Sequence, residues 1–144
     1  MNERKFPGTD IQVSALGMGC MRLPVFESEN HPVDHEKAVK LIRKAIDMGV
    51  TYIDTAYGYH GGDSEVTVGE ALKDGYREKV TLTSKLPLWM VEKYEDMERL
   101  LDTQLERLGV AYLDFYLAHA VSNERFDKVV SLGLFDFFDK MLEK

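Results

Sequence analysis

The chain has 144 residues, 44% of them hydrophobic and 30% charged, with a formal net charge of −7; that is enough for one domain with a substantial core, and it lacks the cationic footprint that nucleic acid or an anionic membrane surface requires. Cys20, the one cysteine, excludes an internal disulfide and by itself holds neither zinc nor an iron–sulfur cluster. No apolar run approaches a membrane span and the opening Met-Asn-Glu-Arg-Lys-Phe-Pro is no signal segment, so a cytoplasmic protein without a metal site is expected.

After a polar start, Val13 to Cys20 reads as a short apolar strand, with Gly17 and Gly19 marking places where a backbone or ligand can approach closely. Its Gly-x-Gly is a poor dinucleotide fingerprint, because the third glycine is missing and Pro24 follows in place of a helix. A polar loop spans 24–32. Asp34 is then a plausible N-cap for a helix whose apolar stripe is Ala38, Leu41, Ile42, Ala45 and Ile46, with Gly49 just past its end. Val50 to Asp54 is strand-like, a Gly/Tyr-rich loop runs through Asp63, and a helix from near Ser64 carries Val66, Gly69 and Leu72 on one face, closed by Gly75. Lys79 to Ser84 is β-branched and strand-like, stopping at Lys85 and Pro87. A long amphipathic helix from about Val91 presents Met97, Leu100, Leu101, Leu105 and Leu108 and stops at Gly109. Tyr112 to Ala118 is a fourth strand ending at His119; Ser122 or Asn123 caps a last helical region, broken near Gly133 and continuing to Lys144.

Strands and helices thus alternate, with strand starts roughly thirty residues apart, which argues for parallel strands joined by right-handed helical crossovers. Either an open doubly wound sheet or a (β/α) barrel satisfies the pattern. A whole eightfold barrel needs about 250 residues, so four units would make half of one.

Four reactive side chains fall at corresponding points of successive units. Asp54 ends the second strand, Tyr59 lies in the loop after it, Lys85 ends the third and His119 the fourth. The C-terminal ends of parallel strands share one face, where α/β proteins place their active sites. Singly each residue has a bland reading: a turn or cap aspartate, a packing tyrosine, a solvated lysine, a hydrogen-bonded core histidine. Their coincidence favours chemistry, and the chemistry such a group suits is carbonyl reduction. Hydride addition leaves an alkoxide-like oxygen that needs a proton donor and a polarising hydrogen bond. Unperturbed tyrosine is a weak acid, with a pKa of about 10; a neighbouring ammonium stabilises its phenolate and a carboxylate holds the ammonium. In this scheme Tyr59 donates the proton, Lys85 tunes it, Asp54 pairs with Lys85 and His119 polarises the carbonyl. The hydride must come from a nicotinamide cofactor.

Asp-Thr-Ala-Tyr-Gly-Tyr at 54–59 with Ser64-Glu65 and Gly69, Leu-Thr-Ser-Lys-Leu-Pro at 82–87 and Leu-Asp-Phe-Tyr-Leu-Ala-His at 113–119 together resemble three consecutive signatures of the aldo-keto reductase family. The resemblance covers nearly the whole chain, from Leu16 to the final helix. It implies an α/β fold of the TIM-type (β/α)8 barrel class, of which residues 1–144 are the N-terminal half-barrel with the first four βα units. It also implies an enzyme, usually NADPH-dependent with NADH as the other option, reducing small-molecule aldehydes or ketones to alcohols. The family's Asp–Tyr–Lys–His tetrad maps onto Asp54, Tyr59, Lys85 and His119, and its cofactor contacts here onto Gly19, Met21, Arg22 and Asp54. Cys20 to Pro24 and the closing Leu-Gly-Leu-Phe-Asp-Phe-Phe are similar to a microbial branch with a C-terminal ferredoxin-like extension.

The departure from the family is the span, since strands five to eight carry most of its contacts to the cofactor phosphates. The competing reading is therefore a non-catalytic half-barrel that self-associates through exposed barrel edges, pairs with a complementary C-terminal half, or serves as a cofactor-sensing subunit. Phe126, Phe135, Phe137 and Phe138 are expected to add apolar surface needing cover.

Overall fold

A computed structural model describes residues 1–143. Its centre is a four-stranded parallel sheet, ordered β3 (Met18–Gly19), β4 (Tyr52–Asp54), β5 (Thr81–Pro87) and β6 (Phe115–His119). The crossovers are α1 (His35–Asp47), α2 (Asp63–Ala71) and α3 (Tyr94–Leu108), and α4 (Asn123–Ser131) with α5 (Leu134–Leu142) follow β6. The four βα units expected from the alternation are present. No helix among the described residues is long and apolar enough to cross a membrane.

Local chemistry explains most boundaries. Asp34 caps α1 by accepting the Lys37 N–H at 3.1 Å, Ser122 caps α4, and Gly109 ends α3 in the left-handed conformation at φ 63° that glycine adopts without penalty. Gly133, at φ 93°, separates α4 from α5; the expected end of that helix at Lys144 lies outside the described residues. At the start of α3 the Asp96 carboxylate accepts the N–H groups of Glu92 and Lys93.

Four expectations need correction. The segment read as one strand from Val13 is split: β1 (Glu3–Lys5) pairs antiparallel with β2 (Gln12–Ser14), and only Met18–Gly19 joins the main sheet. The turn is held where Ser14 Oγ donates to the Leu16 carbonyl and Ser14 and Thr51 exchange backbone-to-hydroxyl bonds. Phe6, just past β1, lies 4.3 Å from Phe115 between ring centroids, so the hairpin covers the N-terminal end of the sheet. The third strand runs past Lys85 to Pro87, because β6 pairs with it over 83–87 and Pro87, lacking an N–H, sits at the final position where the loss is cheapest. Helix α2 buries Gly69 and Leu72 as expected, but Val66 is exposed and Glu65, Val68 and Ala71 are buried as well, since α2 packs against both α1 and α3. Of the four phenylalanines expected to need cover, Phe137 is fully buried and Phe138 partly so; Phe126 and Phe135 remain exposed and stack edge-on with one another.

Two apolar clusters lie on the helical side of the sheet. One gathers Ile42, Ile53, Val68, Leu82 and Leu108; the other gathers Leu86, Met97, Leu100, Leu134 and Phe137. On β5 the residue between Leu82 and Leu86 on the same face is Ser84, and on α3 the residue midway between Leu100 and Leu108 is Gln104. Both are fully buried, so a polar seam separates the clusters. Burying such groups without a hydrogen-bond partner costs more than burying them paired, so each must find partners inside the chain.

Cys20 belongs to the first cluster and is fully buried. Burial first, and the Asp54 charge second, push its thiol up to about 12. Because the thiolate is the nucleophile, the native chain is expected to resist iodoacetamide at mildly alkaline pH and to be labelled fully in denaturant. Rapid labelling of the folded chain, followed by mass spectrometry, would contradict this burial.

Candidate active site

Alternation along the strands divides side chains between the two faces of the sheet. Ile53, Leu82, Leu86, Tyr116 and Ala118 pack toward the helices, which sends Tyr52, Asp54, Thr83, Lys85, Phe115, Leu117 and His119 to the opposite face. The parallel register sets Asp54 beside Thr83, Lys85 beside Leu117 and Pro87 beside His119. Tyr52 and Phe115, with ring centroids 6.1 Å apart, close the bottom of that face, and the polar groups occupy its C-terminal rim.

Lys85 is the hub. Its side chain is 12% exposed, and Nζ donates to Asp54 Oδ1 at 2.7 Å, to the Thr55 carbonyl at 2.7 Å and to Tyr59 Oη at 3.3 Å. An ammonium has three hydrogens, and these three acceptors use them all. The Tyr59 oxygen is thus an acceptor from Lys85, leaving its own hydrogen free to be donated elsewhere. Tyr59 also presents its ring edge-on to His119, with centroids 5.7 Å apart at 88°, and Trp89 meets His119 from another side at 5.2 Å. The four expected reactive residues are therefore neighbours on one rim.

Tyr59 opens a short 3-10 turn, Tyr59–Gly62, in which His60, Gly61 and Gly62 all have positive φ, at 51°, 67° and 101°. For His60 this costs of order 1 kcal/mol or more. The turn is tied from outside, because His60 Nε2 accepts the Leu23 N–H at 3.1 Å. That bond joins the Tyr59 loop to the segment after β3, which is fixed again where the Cys20 N–H donates to the Asp54 carbonyl at 2.8 Å and Ser64 Oγ to the Cys20 carbonyl at 2.9 Å.

The expected cofactor contacts lie along this segment. A Cβ at Gly19 would meet no atom within 4 Å, Met21 is 47% exposed, and the exposed Arg22 guanidinium donates to the Met21 carbonyl at 3.3 Å. An open approach at Gly19, an available cation and a flexible apolar side chain suit one end of an aromatic, anionic ligand lying over the rim. The Nδ1 of His119 is buried without a hydrogen-bond partner among the described residues, which leaves Nε2 as the ring nitrogen able to meet a bound molecule. The site is a rim open to one side, and a surface hollow of about 440 Å³ at the N-terminus of α1, lined by Phe26, Val33 and Asp34 among others, contains none of these groups. No group of three or more His, Cys, Asp or Glu side chains among the described residues is placed to hold a metal ion.

The His119 imidazole is held below its ordinary value, chiefly by burial and next by the Lys85 charge, with Asp54 opposing. It is neutral at neutral pH, the form that accepts or donates a hydrogen bond without repelling Lys85. A folded value below the unfolded one, near 6.5, means that the unfolded chain binds more protons as pH falls. The stabilisation is complete above the unfolded value and is lost as pH drops toward the folded one. Denaturant titrations of the parent are therefore expected to lose stability below about pH 6.5, more steeply than those of His119→Gln; equal slopes would show that His119 is not held neutral.

Sequence reading alone did not assign Glu65, Gln104, Arg107 and Tyr116, which form the polar seam behind the site, nor His60, Trp89 and Thr55. The available signals were Glu65 inside the Ser-Glu signature, and Gln104 as a polar residue in register with the apolar stripe of α3.

A model of the Aldo/keto reductase family matches residues 15–141. The chain is 32% identical to the NADH-specific methylglyoxal reductase of Escherichia coli, in an alignment covering 77% of this chain and 39% of that protein. Among solved structures, the holo form of an aldo-keto reductase from Bacillus halodurans superposes with a TM-score of 0.80 at 28% identity, covering 99% of this chain and 47% of the other. An aldo/keto reductase from Klebsiella pneumoniae in complex with NADP and acetate is 34% identical with a TM-score of 0.65, covering 86% and 44%. The chain spans between 34% and 40% of the length of the curated relatives it matches.

Proposed function

The chain belongs to the aldo/keto reductase family, and from that premise we propose that residues 1–144 are the N-terminal half of its barrel domain and carry the proton-transfer side of an NADPH-dependent, alternatively NADH-dependent, carbonyl reduction. The observation that carries the proposal is the saturation of the Lys85 ammonium by Asp54, Thr55 and Tyr59. It leaves the Tyr59 hydroxyl hydrogen uncommitted among the described residues and free to be donated to a carbonyl oxygen at the rim. As negative charge develops on that oxygen, Tyr59 gives up its proton and Lys85, 3.3 Å away, stabilises the phenolate left behind. Asp54 keeps the ammonium in place, and neutral His119 offers a second hydrogen bond to the same oxygen. A bound nicotinamide supplies the hydride; Gly19, Met21, Arg22 and Asp54 are the residues here that would hold its near end. The substrate class we favour is a short aldehyde or ketone, because an α-ketoaldehyde, methylglyoxal, is the substrate in the name of the Escherichia coli relative. A cytoplasmic location, where reduced nicotinamide is abundant, fits this chemistry.

The test mixes the purified chain with NADPH or NADH and methylglyoxal and follows loss of the reduced cofactor's absorbance, alongside fluorescence titration of cofactor binding. Turnover in the parent and its loss in Tyr59→Phe, with cofactor binding retained, is the expected result. Neither turnover nor binding by the parent would defeat the proposal for this chain.

A second reading draws on a separate observation. β3 and β6 are the edge strands of the sheet, and Leu117 on the interior side of β6 is 42% exposed. Open edges beside apolar surface favour association through strand pairing, either between copies or with a complementary half-barrel. A chain that scatters light as a strict monomer at micromolar concentration would exclude self-association.

A further inference from the structure

Glu65 on α2 is fully buried, a position that is costly for a carboxylate unless every lone pair is satisfied. Its Oε1 accepts from Ser84 Oγ at 2.7 Å and from Gln104 Nε2 at 2.6 Å, and its Oε2 from Arg107 Nη1 at 3.2 Å. Tyr116 sets the orientation of the Gln104 amide, since its hydroxyl donates to Oε1 of Gln104 at 2.6 Å. Burial, with the Glu65 charge, holds the Tyr116 hydroxyl well above its ordinary value, so it stays a donor. The Gln104 Nε2 therefore faces Glu65, Ser84 and the Lys85 carbonyl, the last at 3.2 Å.

Arg107 reaches the other way. The same Nη1 donates to the Tyr57 carbonyl at 3.2 Å, the guanidinium lies 4.3 Å over the Tyr57 ring, and it sits so close to Gly62 that a Cβ there would approach it to 2.9 Å. Tyr57 and Gly62 bracket the Tyr59 turn. One hydrogen-bonded unit thus holds the backbone of Lys85 on β5 and of Tyr57 at the start of the strained loop that carries Tyr59, and packs against Gly62 at the loop's end.

We propose that Gln104 and Arg107, joined through Glu65, are positioning residues that set the approach of Lys85 Nζ to Tyr59 Oη. This rests on the reading of Tyr59 as proton donor. The need for such a device follows from the turn itself: three successive residues of positive φ are held from within only by the few backbone bonds of one short turn, whereas proton transfer depends on placement to within about an ångström. His60 holds the turn from the β3 side and Arg107 holds it from α3.

The variants are Arg107→Lys, which keeps a cation opposite Glu65 but cannot both reach Tyr57 and cover its ring, and Gln104→Met, which removes the bond to Lys85 at similar volume. Each is compared with the parent chain for thermal melting, for the ring resonances of 13C-labelled Tyr59, and for kcat and KM. The expected result is a shift of the Tyr59 resonances in both variants. With it, kcat falls about tenfold or more while KM for cofactor and carbonyl stays within about twofold. Parental Tyr59 resonances and parental kcat in a folded Arg107→Lys chain, repeated in Gln104→Met, would overturn the proposal. Should Arg107→Lys fail to fold, Gln104→Met decides alone. Should the parent not turn over, the proposed function fails while the Tyr59 resonances still decide whether these residues position it; unmoved resonances overturn the inference by themselves.

Discussion

Lys85→Met is expected to abolish carbonyl reduction while leaving the fold and cofactor binding in place. The substitution removes three hydrogen bonds at once, to Asp54, Thr55 and Tyr59, and with them the positive charge beside the phenol. General-acid assistance is worth about a hundredfold to ten-thousandfold, and Tyr59 without a stabilised phenolate forfeits most of that. The stability cost is smaller. Stranding one partner of a fully buried ion pair costs about 3–5 kcal/mol, but the Lys85 and Asp54 side chains are 12% and 26% exposed, so solvent screening reduces the figure to about 2 kcal/mol. For a chain of this length that is a fall of roughly 6 °C in Tm. The double variant Asp54→Asn/Lys85→Met removes the stranded charge and is expected to recover part of the stability and none of the activity. Were Lys85 an ordinary solvated lysine, neither rate nor Tm would move; a single variant retaining more than roughly a tenth of the parental kcat would remove Lys85 from the proposed proton transfer.

The rim residues were legible in the sequence because strand periodicity and topology do the placing. Asp54 and His119 end apolar strands and Lys85 lies two residues before the end of β5, and parallel strands bring those C-terminal portions together whatever the loops do. Tyr59 was legible only through its spacing from Asp54, since its position depends on the left-handed turn and not on a strand. What supports that turn was not legible. Gln104 interrupts an apolar stripe at a helical step from Leu100 and Leu108, and periodicity marks such a residue as an anomaly without naming its partner on β5. Arg107, one residue from the buried Leu108, reads as a surface cation near a helix C-terminus, and nothing local reveals that it turns inward to a carboxylate on α2. The N-terminal hairpin escaped for a different reason: β1 is exposed throughout, so it carries no alternation of apolar and polar residues, and contacts distant in sequence, Phe6 with Phe115 and Ser14 with Thr51, hold it instead.

Gly69→Ala is the substitution expected to destabilise the chain most for its size. An alanine in the middle of an exposed helix would gain about 1 kcal/mol over glycine, so propensity alone predicts a more stable protein. Packing reverses the sign. A Cβ on Gly69 would lie 2.5 Å from the Leu108 carbonyl oxygen and 2.7 Å from its carbon, both backbone atoms that cannot swing aside as a side chain would. Relief requires α2 and α3 to move apart, disturbing Val68, Leu108 and their neighbours in the first cluster. Overpacking of this kind costs about 1–3 kcal/mol, and with rigid backbone on the far side the upper end applies, leaving a net loss of about 2 kcal/mol after the propensity gain. The same displacement reaches the rim, because the residue before Leu108 is Arg107, whose guanidinium spans Glu65 and Tyr57. Gly69→Ala should therefore lower Tm and also disturb the Tyr59 resonances, whereas a core substitution of equal cost in the second cluster, such as Leu134→Ala, should lower Tm alone. A Gly69→Ala chain as stable as the parent would show that α2 and α3 are not in backbone contact, and would remove the physical link drawn here between helix packing and the Tyr59 turn.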